Sequence, residues 1–393
     1  MVRLMVMTAR AELRRQAIAA FGYNASATDE VLAYCDSPFD IGRVSGVTFP
    51  LADEPHVADW RNYRTDAGAD VFSLLQERLP QLAIPIADGM STSPAYAAVV
   101  RRGRPFFADD FGGRLTLDAP AELSLEIHEH PTGALPVLVA ATRHDFERLY
   151  RALAHRNEPI AVNPSVNAQM ITGIVNWDRV NRYRQSWADR NGADLAGPAW
   201  SMEMSRVASA SPELFYDRLI LTTRAPYGGC TAEGLGLDMT ASEWQRTSAA
   251  LRVEHEFAHY ATKRLYGAMR LNLLDELIAD AMGMTHALGE FDAGWFLGAL
   301  GLAGWPALPA TARVHTYRSG LSDEGLRLAC EVAAHAAEAV EALTTTRDVA
   351  AERGRYLLTL TALTLDVLAS SEAADAFDDA WELAATVVGD RTL

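Results

Sequence analysis

The chain has 393 residues, 49% of them hydrophobic and 22% charged, with a formal net charge of −16. That balance excludes a mostly disordered, collagen-like or coiled-coil protein, and the length predicts two domains or one large one. The acidic surplus argues against a dedicated nucleic-acid binder, which carries a basic stripe. Of the 35 basic residues all but Lys263 are arginine, which reads as codon bias in a GC-rich genome. Three scattered cysteines, Cys35, Cys230 and Cys330, fit a reducing compartment with no disulfide framework. No secretory leader pattern opens the chain. The uncharged run Ala293–Ala312 is broken by glycine and proline, so it reads as a buried helix followed by a loop rather than a membrane span. The expectation is a cytoplasmic protein that binds neither membrane nor nucleic acid.

The fold expected is α+β: a mixed N-terminal region over residues 1–160, then a mainly helical domain over 161–393. In the first region the apolar periodicity predicts helices at Thr8–Phe21, Ala27–Cys35, Asp59–Arg78 and Arg143–His155. Short β-rich runs bounded by turn residues predict strands at Val44–Phe49, Leu82–Ile86, Arg114–Leu117, Glu122–His128 and Pro136–Ala141. The segment Asn157–Pro164 reads as the boundary. Between Ser165 and Met239 the pattern is helix, loop and one strand, Leu219–Thr223. The aromatic and basic stretch Asn176–Trp187 reads as an amphipathic helix docking its aromatics inward.

After Met239 the chain is nearly all helix. Thr240 and Glu243 form a capping box, and the helix they open should stop at Gly267. A second helix should run from Asn272 to Gly289, with further helices at Asp323–Leu343, Val349–Ala369 and Glu372–Val388. The first of these helices contains His255-Glu256-Phe257-Ala258-His259, an HExxH motif. Residues i and i+4 share a helical face, so both imidazoles reach one metal ion. Neutral imidazole suits Zn²⁺, and Glu256 beside the metal's water can take its proton. The metzincin continuation fails, because Thr262 and Leu265 stand where glycine and histidine are required. The next helix instead offers Glu276 and Asp280, again i and i+4. Asp275 is an adjacent carboxylate, but periodicity favours Glu276. An antiparallel return through Gly267–Leu271 brings Glu276 level with the histidines.

HExxH followed by Glu276-x-x-Ala279-Asp280 resembles the gluzincin zinc metallopeptidases over about Val253–Met284. The resemblance implies that His255, His259 and Glu276 bind the metal and that Asp280 orients His255. It also implies Glu256 as general base in hydrolysis of a peptide or other amide. An oxyanion donor is needed as well, from among Tyr227, Tyr260, His286, His315 and Tyr317. His315 and Tyr317 lie downstream of the ligand helix, where gluzincins often place such a group. Two alternatives stay open. Two histidines and a carboxylate also suit Fe²⁺, so the scaffold could tailor a small molecule without hydrolysis. A closed, four-ligand metal site would instead mark a non-catalytic binding protein.

Overall fold

The computed structural model describes residues 12–192 and 198–388. The chain divides into two compact units, one formed by Met1–Leu51 with Pro226–Leu393 and the other by Ala52–Ala225. Residues 12–19 are helical and α1 (Ala25–Tyr34) follows in the first unit. The second unit contains α2 (Pro55–Ala67), α3 (Val71–Arg78), β1 (Ser124–His128), β2 (Leu135–Ala140) and α4 (Arg143–Ala154). It continues with β3 (Ala168–Val175), α5 (Trp177–Asn191), α6 (Pro198–Ala210) and β4 (Tyr216–Thr223). The chain then re-enters the first unit through α7 (Ala241–Tyr266), α8 (Leu273–Leu288), α9 (Ala293–Ala299) and α10 (Asp323–Thr344). It ends on α11 (Arg353–Thr361), α12 (Leu365–Leu368) and α13 (Ala373–Val388). The class is α+β. Among the described residues, no helix is long and apolar enough to cross a membrane.

The division differs from a split near residue 160, and the sheet explains why. Its order is β1-β2-β4-β3, with β2 parallel to β4 and β3 antiparallel to β4. Backbone pairing therefore joins residues 168–223 to the 124–140 hairpin. Every residue of β2 is buried, as expected for a strand with neighbours on both sides. Strand β3 escapes the sequence pattern because Gly173, at φ 79°, makes a bulge between Thr172 and Ile174 and breaks the alternation. Three expected strands do not form. Val44–Phe49 and Leu82–Ile86 are not strands but irregular segments that leave the 3₁₀ turns Ile41–Val44 and Pro80–Leu82. The 114–117 run is an extended tie, with Leu115 N–H donating to the Ala83 carbonyl at 3.0 Å. The helix expected over Asp59–Arg78 breaks at Gly68 (φ 54°), and the Asp70 carboxylate caps α3.

In α5 the aromatics do dock inward. Trp177, Tyr183 and Trp187 pack about Trp200 and Phe215. Arg179 and Arg182 both pair with Asp59. Arg179 also pairs with Asp217, a fully buried carboxylate that accepts from Trp60 Nε1 at 2.8 Å and Asn176 Nδ2 at 2.9 Å. The basic residues of this stretch are thus largely spent within the unit.

In the first unit a large apolar cluster joins α1 and the 12–19 helix to α7, α8 and α10–α13 through residues such as Ile18, Val31, Leu251, Leu277, Cys330, Leu358 and Phe377. The α7–α8 pair is close because of Gly283. A Cβ there would sit 2.8 Å from the Leu251 carbonyl oxygen, so any side chain would push the two helices apart.

Candidate metal centre

Local chemistry sets the ends of the two helices that carry the motif. Thr240 Oγ1 accepts from Glu243 N–H, and the Glu243 carboxylate accepts from Thr240 N–H at 2.8 Å. Helix α7 stops at Gly267, whose φ of 69° suits the left-handed cap. Asn272 caps α8, accepting from Asp275 N–H at 3.1 Å, and Gly289 ends it. Asp275 has a task of its own. Its Oδ2 accepts from the N–H groups of Arg270 and Leu271, both at 2.6 Å, where Leu271 is held at φ 53°. The carboxylate next to Glu276 therefore closes the turn between the helices.

That turn brings the two ligand faces together. His255 Nε2 lies 3.7 Å from Glu276 Oε2, and His259 Nε2 lies 3.5 Å from Glu276 Oε1. The imidazole centroids are 4.9 Å apart. All three side chains are buried. These gaps exceed a good hydrogen bond of about 2.7–3.2 Å. They match donors around one zinc ion, since bonds of about 2.0–2.2 Å in a tetrahedron separate ligand atoms by about 3.4 Å. The donor set of two imidazoles and one carboxylate fits Zn²⁺, and three protein ligands leave a fourth position for water or substrate.

The imidazole of His255 is oriented from behind. Its Nδ1 lies 2.6 Å from Asp280 Oδ1, and Tyr227 donates its hydroxyl to the same oxygen at 2.5 Å. A carboxylate oxygen accepts, so Nδ1 carries the proton and Nε2 turns its lone pair toward Glu276. Tyr227 is itself fixed. Its N–H donates to Ser248 Oγ at 3.0 Å, and the Arg252 guanidinium lies 5.8 Å from its ring centroid while reaching the Pro226 carbonyl. Burial and the Asp280 charge hold the Tyr227 phenol well above its usual range.

Charges about the ligands are tightly coupled. Burial alone would lower His259 and raise Glu276. Contact between the two overrides this, pushing His259 up and Glu276 down. Arg313 Nη2 lies 3.1 Å from Glu276 Oε2 and adds to the lowering of Glu276. Glu256 is buried on α7 within electrostatic reach of His259. Tyr317 is buried beside Glu276, and burial followed by that carboxylate's charge pushes its phenol far up.

A family model matches residues 16–372. The chain belongs to a family of unknown function, DUF7005. No curated protein and no solved structure matches it. In this DUF7005 member the structure brings His255, His259, Glu276, Asp280 and Tyr317 to one locus, with Glu256 adjacent. His315 is the exception. Its Nε2 donates to the Pro309 carbonyl at 3.0 Å, so the ring is tied to its own loop rather than to the ligand cluster. Tyr227 comes to the site as a partner of Asp280, which occupies its hydroxyl. Arg313 is the residue that sequence reasoning missed. It sits on the same short turn as Tyr317, with its guanidinium 5.5 Å from that ring's centroid. The signal was available in the charge balance. Glu256, Asp275, Glu276 and Asp280 outnumber two neutral histidines and one dication, so a further cation is needed nearby.

Proposed function

We propose that this chain is a zinc-dependent hydrolase of the gluzincin type, acting on a peptide or other amide bond. The observation that carries the reading is the convergence of His255 Nε2, His259 Nε2 and the Glu276 carboxylate at 3.5 and 3.7 Å, with Asp280 behind His255 at 2.6 Å. His255, His259 and Glu276 would hold the ion. Bound there, zinc would supply Lewis acidity and a water acidified toward neutrality. Asp280 and Tyr227 keep His255 in the tautomer that presents Nε2. Arg313 fixes one oxygen of Glu276 and offsets the carboxylate surplus. Glu256 takes the proton from the attacking water and passes it to the leaving amine. Tyr317, kept protonated by its surroundings, donates a hydrogen bond to the reacting carbonyl oxygen. The free thiols of Cys35, Cys230 and Cys330 fit a reducing, cytoplasmic setting.

The test is amine release from a complex peptide mixture, followed by mass spectrometry, for the wild-type chain and for Glu256→Gln. The reading expects cleavage by the wild type. Glu256→Gln should keep its metal and lose roughly 10²–10⁴-fold in rate, the usual weight of a positioned general base. Equal cleavage by Glu256→Gln, or none by the metal-loaded wild type across peptides and simple amides, would sink it.

A further inference from the structure

The Ala52–Ala225 unit has a cavity of its own, about 390 Å³, within the range of small-molecule sites. Its lining is unusual for so acidic a chain. Among the described residues it contains Arg101 and Arg156 and no aspartate or glutamate. Both arginines are exposed, and among the described residues neither guanidinium has a carboxylate partner. Arg101 reaches only the Ser91 carbonyl, at 3.1 Å. The nearby Glu158 is occupied, accepting from the N–H groups of Gly89 at 2.9 Å and Ser91 at 2.6 Å. Arg156 is held by an unusual backbone. It and Asn157 both have positive φ, 53° and 62°. Asn157 is fully buried and donates its side-chain amide to the carbonyls of Gln81 and Ile84 at 3.0 and 2.7 Å. A non-glycine pair in that region costs free energy, which the Asn157 contacts offset.

Two further polar groups line the cavity and lack a protein partner. Gln81 is 5% exposed and Tyr96 3% exposed, yet neither the Gln81 amide nor the Tyr96 hydroxyl makes a hydrogen bond within the described residues. Neither is among the polar atoms sealed from solvent without a partner, so both groups open into the cavity and are free to meet what enters it. Burial keeps the Tyr96 phenol protonated, pushed up to about 12, and hence a donor. The lining also carries two aromatic rings, Phe215 and Trp177, whose Nε1 is spent on the Val100 carbonyl at 2.9 Å.

We propose that this cavity binds a small organic anion, a carboxylate or phosphate on a flat apolar body, with Arg101, Arg156 and Tyr96 on the anionic group and Trp177 and Phe215 against the ring. The proposal is independent of the metal centre, since every residue it uses lies in the other unit. Isothermal titration calorimetry on the full chain tests it, with 1-naphthyl phosphate and 1-naphthoate as probes. Neutral 1-naphthamide and inorganic phosphate serve as controls. At least one naphthyl anion should bind at one site per chain, and whichever binds tighter assigns the anionic group. The double variant Arg101→Ala/Arg156→Ala should weaken it about tenfold or more through the lost charge-assisted hydrogen bonds. Tyr96→Phe should lose a few-fold, and circular dichroism should show each variant folded. Binding of neither anion, equal binding of naphthamide, equal binding of inorganic phosphate, or an unchanged double variant would each overturn the proposal.

Discussion

Each unit of the chain buries a knot of charge, and the two knots are built differently. In the Ala52–Ala225 unit, Asp217 is wrapped by donors. Trp60 and Asn176 serve one oxygen at 2.8 and 2.9 Å, and the Arg179 guanidinium serves the other. Both carboxylate oxygens there have a donor at hydrogen-bond distance. In the other unit, His255 and His259 present Nε2 to Glu276 across 3.7 and 3.5 Å, too far for good hydrogen bonds and suited to sharing an ion. Satisfied donors mark a network that holds a fold together. Converging ligand atoms, with His255 braced from behind by Asp280, are the arrangement a metal site would require. The contrast separates a structural charge cluster from a candidate site more sharply than burial does, because both are buried.

The comparison can be broken at three points. The largest effect should come from Asp217→Ala, which leaves the nearly buried Arg179 with Asp59 as its one carboxylate partner among the described residues, beside the Leu214 carbonyl. Stranding part of a buried ion pair costs about 3–5 kcal/mol. Thermal melting should fall steeply while the metal content of the folded fraction stays the same. A variant that melts like wild type would show that Asp217 carries no structural load.

Asp280→Ala should do the reverse. Removing the carboxylate behind a metal-binding histidine typically costs 10–100-fold in metal affinity. Competition with a chromophoric chelator would measure it, and Tyr227→Phe should give a smaller loss in the same direction. Unchanged affinity in Asp280→Ala would mean that His255 needs no support.

The smallest effect concerns His56 on α2, fully buried with neither ring nitrogen hydrogen-bonded among the described residues. Burial lowers it below its usual 6.5, outweighing the pull of Asp217. The unfolded chain therefore binds the proton first as pH falls. Stability contributed by the neutral ring is full above about 6.5 and declines below it, toward the depressed folded value. Melting temperatures at pH 7.5 and 5.5 should differ less in His56→Leu than in the wild type. An equal difference would remove His56 from the account.

The two units were also unequally legible in the sequence. The ends of α7 and α8 could be read from Thr240, Glu243, Gly267, Asn272 and Gly289, because caps are local chemistry. The ligand face followed from i and i+4 spacing, which a helix enforces whatever surrounds it. The sheet depended on distant pairing. β3 hid behind its bulge at Gly173, and the parallel match of β2 to β4 is written in no local pattern. That also moved the division of the chain away from residue 160. Arg313 went unread for a similar reason. Its role comes from a loop folding back onto α8, while His315, two residues on, turns to Pro309 instead.

If His255, His259 and Glu276 form one metal site, each of them is needed for the ion to bind. The most direct test is the metal content of the purified chain by inductively coupled plasma mass spectrometry, beside His255→Ala and Glu276→Ala. About one zinc per wild-type chain is expected, as a three-ligand site implies, and almost none in either folded variant. Wild-type protein that holds no metal even after reloading, or variants that keep it in full, would contradict that reading.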